Sequence, residues 1–250
     1  MDVDAILERA CARHAPGGPT DGDLRFVFDV TSLGGLIPRG KGLGRTHPKP
    51  SHVTVEPAVG RTTMHDYPAP ERTLVYERGT ILDAPILYDV YRRRFRGPRK
   101  LRRWTPRDAC YFFGYALVEY LGLPWSLRGR APMRVRSYRQ HGRTYDALTY
   151  RWPQGADTHS EVQTFHFAAD GLLVRHDYRA DILGAVFTGA HGSSDYSTVD
   201  GIAVAQQRRV VARLGRWATP LPVLEARFAF RTITPRIEGR LRPDAVGEVG

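Results

Sequence analysis

Residues 105–125 read TPRDACYFFGYALVEYLGLPW. Thr105 is placed to cap a helix, and Pro106 fills the first helical position, where its missing N–H is no loss. Asp108 falls in the first turn, near the positive end of the helix dipole. From Ala109 to Leu121 the only charge is Glu119. A helix apolar on nearly every side must be buried on nearly every side. Gly122 and Pro124 end it. Buried tyrosines need partners for their hydroxyls, so Tyr111, Tyr115 and Tyr120 demand polar neighbours inside the protein.

The sequence on both sides of this helix is patterned as strands. In DLRFVFDV (23–30), Leu24, Phe26, Phe28 and Val30 alternate with Arg25 and Asp29, the period of a half-buried strand. HVTVEPAV (52–59), RTLVYER (72–78) and APILYDVYRRRF (84–95) are rich in β-branched and aromatic residues and bounded by Pro, Gly and Asp. Beyond the helix, PMRVRSYRQHGRTYDALTYRW gives two strands about His141-Gly142. EVQTFHFAADGLLVRHDYRAD gives two more about Ala169-Asp170-Gly171, and GIAVAQQRRVVARL and LEARFAFRTI supply the last two. At the N-terminus, Val3, Ile6, Leu7, Ala10, Cys11 and His14 form one stripe of an amphipathic helix. Strands joined in sequence by short turns form an antiparallel meander, and a sheet this long curls. The expected fold is mainly β (α+β). It is a curved antiparallel half-barrel of about ten strands enclosing the central helix, with an N-terminal helix added. One domain spans residues 1–250, with a loose Gly/Pro/charge-rich tail over 236–250.

GLIPRGKGLG (35–44) nearly spells a phosphate-binding loop. That motif needs Ser or Thr after the lysine and a helix to follow. Here Gly42 follows Lys41, and LGRTHPKPSH cannot continue as a helix. The stretch is expected to be a loop between strands, and no nucleotide cofactor is implied. Arg39, Lys41, Arg45, His47 and Lys49 leave it basic enough to meet an anion.

A composition of 42% hydrophobic and 25% charged residues is that of an ordinary globular chain. Its two cysteines, Cys11 and Cys110, match no zinc or redox spacing, a usage that suits a reducing cytoplasm. No apolar run approaches the ~20 residues that span a bilayer, and the acidic, amphipathic N-terminus is not a signal peptide. The Arg/Ala/Gly/Pro bias suggests a GC-rich bacterial genome. Net charge is +11, and the run RRRFRGPRKLRR (92–103) holds eight basic residues in twelve. Nucleic acid is therefore an alternative partner, although no recognition motif accompanies the run.

The opening ILERACARH, the strand LRFVFDVTSLGG and the turn FAADGLLVRHDY together resemble LolA-type lipoprotein carriers. In that family an N-terminal and a central helix cover the hollow of a curved antiparallel sheet. The resemblance implies a lidded cavity for a hydrophobic small molecule. Two features depart from it: the family's secretion signal and a histidine-rich hairpin.

That hairpin carries the candidate chemistry. A three-residue loop with Gly171 left-handed pairs Ala168 with Leu172. Strict register then sets Phe167 opposite Leu173, His166 opposite Val174, and Thr164 opposite His176. One face holds Val162, Thr164, His166, Val174, His176 and Tyr178, and it is assigned to the cavity because it has no formal charge beyond its histidines. His166 and His176 become diagonal neighbours, with Tyr178 two residues along. Two imidazoles and a phenol can move protons on a bound molecule, and His166, His176 and Tyr178 are the catalytic candidates. Thr164, Val162, Val174, His191 and Tyr115 are the ligand-binding candidates. His191 is read as a loop residue at a strand mouth, and His159 by parity faces away. Asp177 cannot orient His176, because adjacent strand residues point to opposite faces. Two histidines without a third ligand give no metal site, and no cofactor motif is present. The expected function is a cofactor-independent cyclase, isomerase or dehydratase (lyase) of bacterial secondary metabolism. The alternatives are a non-catalytic carrier or sensor of a hydrophobic ligand, or a polyanion-associated protein. The sequence does not fix the oligomeric state.

Overall fold

In the computed structural model, the apolar segment forms helix α3 (Pro106–Gly122), flanked along the chain by strands on either side. Its cap is the expected one. The Thr105 side chain accepts from the Asp108 N–H at 3.2 Å, and Asp108 accepts from the Thr105 N–H at 2.8 Å. Asp108 is fully buried and pairs with Arg102 at 3.0 Å. The described residues are 2–16, 23–82, 95, 102–140, 142–184, 188–214 and 217–236. The strand expected over 84–95, most of the basic run 92–103 and the 237–250 tail lie outside them.

Helix α1 (Val3–His14) precedes five strands: β1 (Leu24–Gly34), β2 (His52–Glu56), β3 (Arg61–His65), β4 (Leu74–Glu77) and β5 (Thr80–Ile81). After α3 come β6 (Arg134–Gln140), β7 (Arg143–Arg151), β8 (Val162–Ala168), β9 (Leu173–Arg179), β10 (Thr188–Val199), β11 (Ile202–Leu214) and β12 (Trp217–Pro235). All twelve form one antiparallel sheet in the order β5-β4-β3-β2-β1-β12-β11-β10-β9-β8-β7-β6. Each half is a meander, and the pairing of β1 with β12 joins the halves. The sheet curves without closing, so the mainly β half-barrel holds, with twelve strands among the described residues where about ten were expected.

The region 35–44 is not wholly a loop. Leu36–Lys41 forms one short helix, α2, bounded by Gly35 and Gly42, both at positive φ. A Cβ on Gly35 would lie 2.7 Å from the Val223 carbonyl, so only glycine fits there. Among the described residues 43–50 no helix follows, as the prolines and glycines require.

Two apolar clusters build the core. One gathers Phe26, Phe28, Val53, Val55, Met64 and Tyr76 around α3. The other lies under α1, where Ile6, Leu7 and Ala10 meet Leu148, Phe165, Phe167 and Leu173. The C-terminal end of α1 is tied down by His14. Its Nδ1 meets the Ala203 carbonyl at 3.1 Å, and its Nε2 accepts from the Leu173 N–H at 3.3 Å. Burial depresses the His14 pKa to about 4, so the neutral ring makes both bonds. Among the described residues no helix is long and apolar enough to cross a membrane.

Candidate ligand site

The β8–β9 loop forms as the sequence predicts. Gly171 has φ +94°, and the Ala168 N–H donates to the Leu172 carbonyl at 2.9 Å. Gly171 also approaches α1 so closely that a Cβ would meet the Arg9 carbonyl at 2.6 Å. Phe167 pairs with Leu173, as expected. The next pair is His166 with Arg175, so Val174 bulges out of the ladder. Phe165 then faces His176, and Thr164 faces Asp177.

This shift turns the β8 face over, because a one-residue slip exchanges the two sides of a strand. Gln163, Phe165 and Phe167 point inward, while Thr164 and His166 point outward. The reason is apolar burial. Phe165 and Phe167 are both fully enclosed, at roughly 1.5–3 kcal/mol each relative to exposure. An inward His166 offers much less.

His166 therefore does not join His176 in the cavity. It lies on the outer face, with Nδ1 2.9 Å from the Tyr138 hydroxyl and Nε2 3.2 Å from Asp177. Asp177 indeed does not orient His176; it holds His166 instead. Thr164 is on the same outer face, sharing a hydrogen bond of 3.0 Å with Thr149. Val162 is 40% exposed, and Val174 sits at the bulge, so neither contributes to the interior as expected.

His176 and Tyr178 do face inward, and the structure adds three more inward residues. His191 is in strand β10, not a loop, and pairs directly with His176. His159, expected to face away, is fully buried and stacks on Tyr178 with ring centroids 4.0 Å apart. Arg208 reaches in from β11 and is 7% exposed.

The polar atoms of His159 and Tyr178 form one chain with the tyrosines of α3, from the helix to the sheet. The Tyr115 hydroxyl lies 3.2 Å from His159 Nδ1, and the Tyr120 hydroxyl lies 2.5 Å from His159 Nε2 and 3.0 Å from the Tyr178 hydroxyl. These bonds satisfy Tyr115 and Tyr120 of the apolar helix; Tyr111 bonds Asp157 at 3.2 Å. His176 Nε2 donates to Gln163 Oε1, leaving His176 Nδ1 without a partner. Burial, with His191 and His159 nearby, lowers the His176 pKa well below the usual histidine range. Burial and the Arg208 charge do the same to His191, and burial raises the phenols of Tyr120 and Tyr178. His176 and His191 are therefore neutral, and Tyr120 and Tyr178 protonated, at neutral pH.

Tyr120, Tyr178, His191 and Arg208 form the polar end of a cavity of ≈ 50 Å³, room for a few waters. Its other walls are apolar and include Phe112, Leu117, Val53, Met64 and Phe228. Val30, Phe113, Tyr120 and Leu224 are its partly exposed members, and the three apolar ones mark the solvent side. Two features there are unsatisfied. Neither ring nitrogen of His191 has a hydrogen-bond partner. Arg208 bonds Ser193 Oγ at 3.2 Å and lies over the Tyr120 ring at 5.1 Å, but pairs with no carboxylate among the described residues. His176 and Tyr115 stand behind this wall rather than on it. Among the described residues no group of three metal-ligating side chains occurs.

Parity could have found Arg208, because Ile202, Val204 and Val210 share its face of β11. His159 had no such signal, since it precedes β8 in an irregular segment.

No family model matches the sequence, and no curated protein matches it. Among solved structures, the chain is similar to a LolA superfamily protein from Nitrosomonas europaea. That alignment covers 95% of this chain and 94% of that one at 10% identity, with a TM-score of 0.53. A DUF1329 family protein from Desulfovibrio piger aligns over 95% of each chain at 12% identity, with a TM-score of 0.41. The LolA-type resemblance seen in the sequence thus holds at the level of architecture: this chain has the fold of the Nitrosomonas LolA superfamily protein, an open antiparallel half-barrel over a central helix.

Proposed function

We propose that the half-barrel binds a largely apolar small molecule that bears one anionic group of the carboxylate class. The observation that carries this reading is Arg208, a buried guanidinium at the polar end of an apolar cavity with no carboxylate partner among the described residues. A buried cation is costly unless paired, and a carboxylate can accept two N–H bonds from one guanidinium. His191 supplies a further donor or acceptor beside it. The apolar walls take the rest of the ligand, which enters past Val30 and Leu224 and displaces side chains to widen a small hollow. The hydrophobic wall and the half-barrel architecture both support a carrier or sensor of such a molecule.

The test is a comparison of decanoate with decanol, titrated into protein stripped of co-purifying ligand. Tighter binding of the acid, abolished in Arg208→Met, is the expected result. Equal affinity for acid and alcohol sinks the reading.

A second reading is acid–base turnover by a cyclase, isomerase or dehydratase, in a bacterial biosynthetic setting. It is favoured by His191, whose two ring nitrogens are unpartnered and which lines the cavity together with Tyr178. His191 then takes the role first given to His166. If mass spectrometry shows the extracted ligand unchanged after incubation with both wild-type and His191→Gln protein, this reading is wrong. A cytoplasmic location accords with two buried free cysteines, and recovery in a periplasmic or membrane fraction would refute it.

A further inference from the structure

The opposite face of the sheet bears a second, larger concavity. A groove of ≈ 720 Å³ runs across the outer side of β6–β9 to β11. That volume is in the range of small-molecule sites. Five arginines line it: Arg134, Arg136 and Arg139 from β6, Arg175 from β9 and Arg213 from β11. Among the described lining residues Asp177 is the only acidic side chain.

Asp177 organises the floor. It accepts from Arg175 Nε at 2.6 Å and Nη2 at 2.9 Å, and from Arg213 Nη1 at 2.6 Å, with His166 Nε2 at 3.2 Å. Burial alone would raise this carboxyl, but the hydrogen bonds from His166 and Arg175 outweigh it and hold it ionised. One carboxylate thus fixes two guanidiniums and cancels one of their charges. Arg134, Arg136 and Arg139 have no carboxylate partner among the described residues and are exposed along the rim. The groove is therefore a set of cationic donors, two of them already oriented, with a large excess of positive charge.

We propose that this outer groove binds a small molecule carrying one or two phosphate groups. Guanidinium forks match phosphate oxygens two at a time, and several of them together suit a ligand of charge −2 or more better than a monoacid. The site is independent of the interior one: its floor residue Asp177 and the interior His176 are neighbours in β9 that point to opposite faces.

The test uses pyrophosphate as the probe, titrated calorimetrically into the full chain at low salt. Saturable one-to-one binding is expected. The double variant Arg134→Ser/Arg136→Ser, which changes only exposed side chains, should weaken it at least about tenfold, since a charge-assisted hydrogen bond contributes that much. Arg231→Ser, on β12 and outside the groove, should leave it unchanged. Three results overturn the proposal: no saturable binding, an equal loss in Arg231→Ser, or heparin binding that the double variant abolishes while pyrophosphate does not bind. The last would assign the face to a polyanion.

Discussion

Arg208→Met isolates the central claim about the interior, because it separates stability from binding. Arg208 is 7% exposed, and its guanidinium has one hydrogen bond to Ser193 and the Tyr120 ring as compensation. Burial lowers its pKa, yet an arginine keeps its proton in a protein. An unpaired buried ion costs several kcal/mol after relaxation. A charged hydrogen bond and a desolvated cation–π contact return about 3 kcal/mol together. The deficit is on the order of 2 kcal/mol, borne only by the empty protein. Methionine has similar length, adapts to irregular space and carries no charge. The ligand-free variant should therefore unfold higher than wild type, at ~2–4 °C per kcal/mol for a chain of this size. Differential scanning calorimetry on stripped protein reads the first effect, and decanoate titration reads the second. If Arg208→Met instead melts several degrees lower, Arg208 is a structural residue held by its ring contacts. The argument for an anionic ligand then fails.

Other perturbations test the frame around the site. Gly114→Ala places a Cβ 2.4–2.5 Å from Cγ and Cβ of Tyr76, where no flexible side-chain end can yield. The ~1 kcal/mol gained in helix propensity is outweighed, and urea denaturation should show a net loss of about 1–2 kcal/mol. His14→Phe keeps a ring but orphans the Leu173 N–H and the Ala203 carbonyl, for a loss of about 2 kcal/mol at pH 7 by the same assay. Because burial lowers the His14 pKa from 6.5 to about 4, the unfolded chain binds the proton first. Wild-type stability should fall between pH 6.5 and 4, and His14→Phe should lack that portion of the slope. Glu119 behaves oppositely. Burial raises its pKa from 4.5 to about 8, so the folded state holds the proton and stability falls as pH rises from 4.5 through 8. Thermal melts of Glu119→Gln should match wild type near pH 5 and exceed it by several degrees at pH 9.

Much of this architecture was readable from local pattern. The boundaries of α3 followed from Thr105, Pro106 and Gly122, and those of α1 from one apolar stripe, because both helices are set by residues within a few turns. The β8–β9 loop followed from Asp170-Gly171. The site was less legible because strand parity propagates errors. A single bulge at Val174 moved His166 to the opposite face of the sheet, and only the competition between Phe165, Phe167 and His166 for the interior decides that. His191 and Arg208 are placed by pairing between β9, β10 and β11, which depends on register set far away along the chain. The helix α2 was hidden because LIPRGK contains both proline and glycine; it is held by the close approach of Gly35 to β12 rather than by propensity.

The joining of the two meanders through β1 and β12 has a consequence for biosynthesis. Leu24 finds its partner only when Pro235 is available. At ~5–20 residues per second, a nascent β1 waits on the order of 10–40 s with one edge bare. That edge presents Phe26 and Phe28, and an unpaired apolar strand is a template for aggregation. Shielding of the first meander until β12 has been made should therefore raise the soluble yield of the chain.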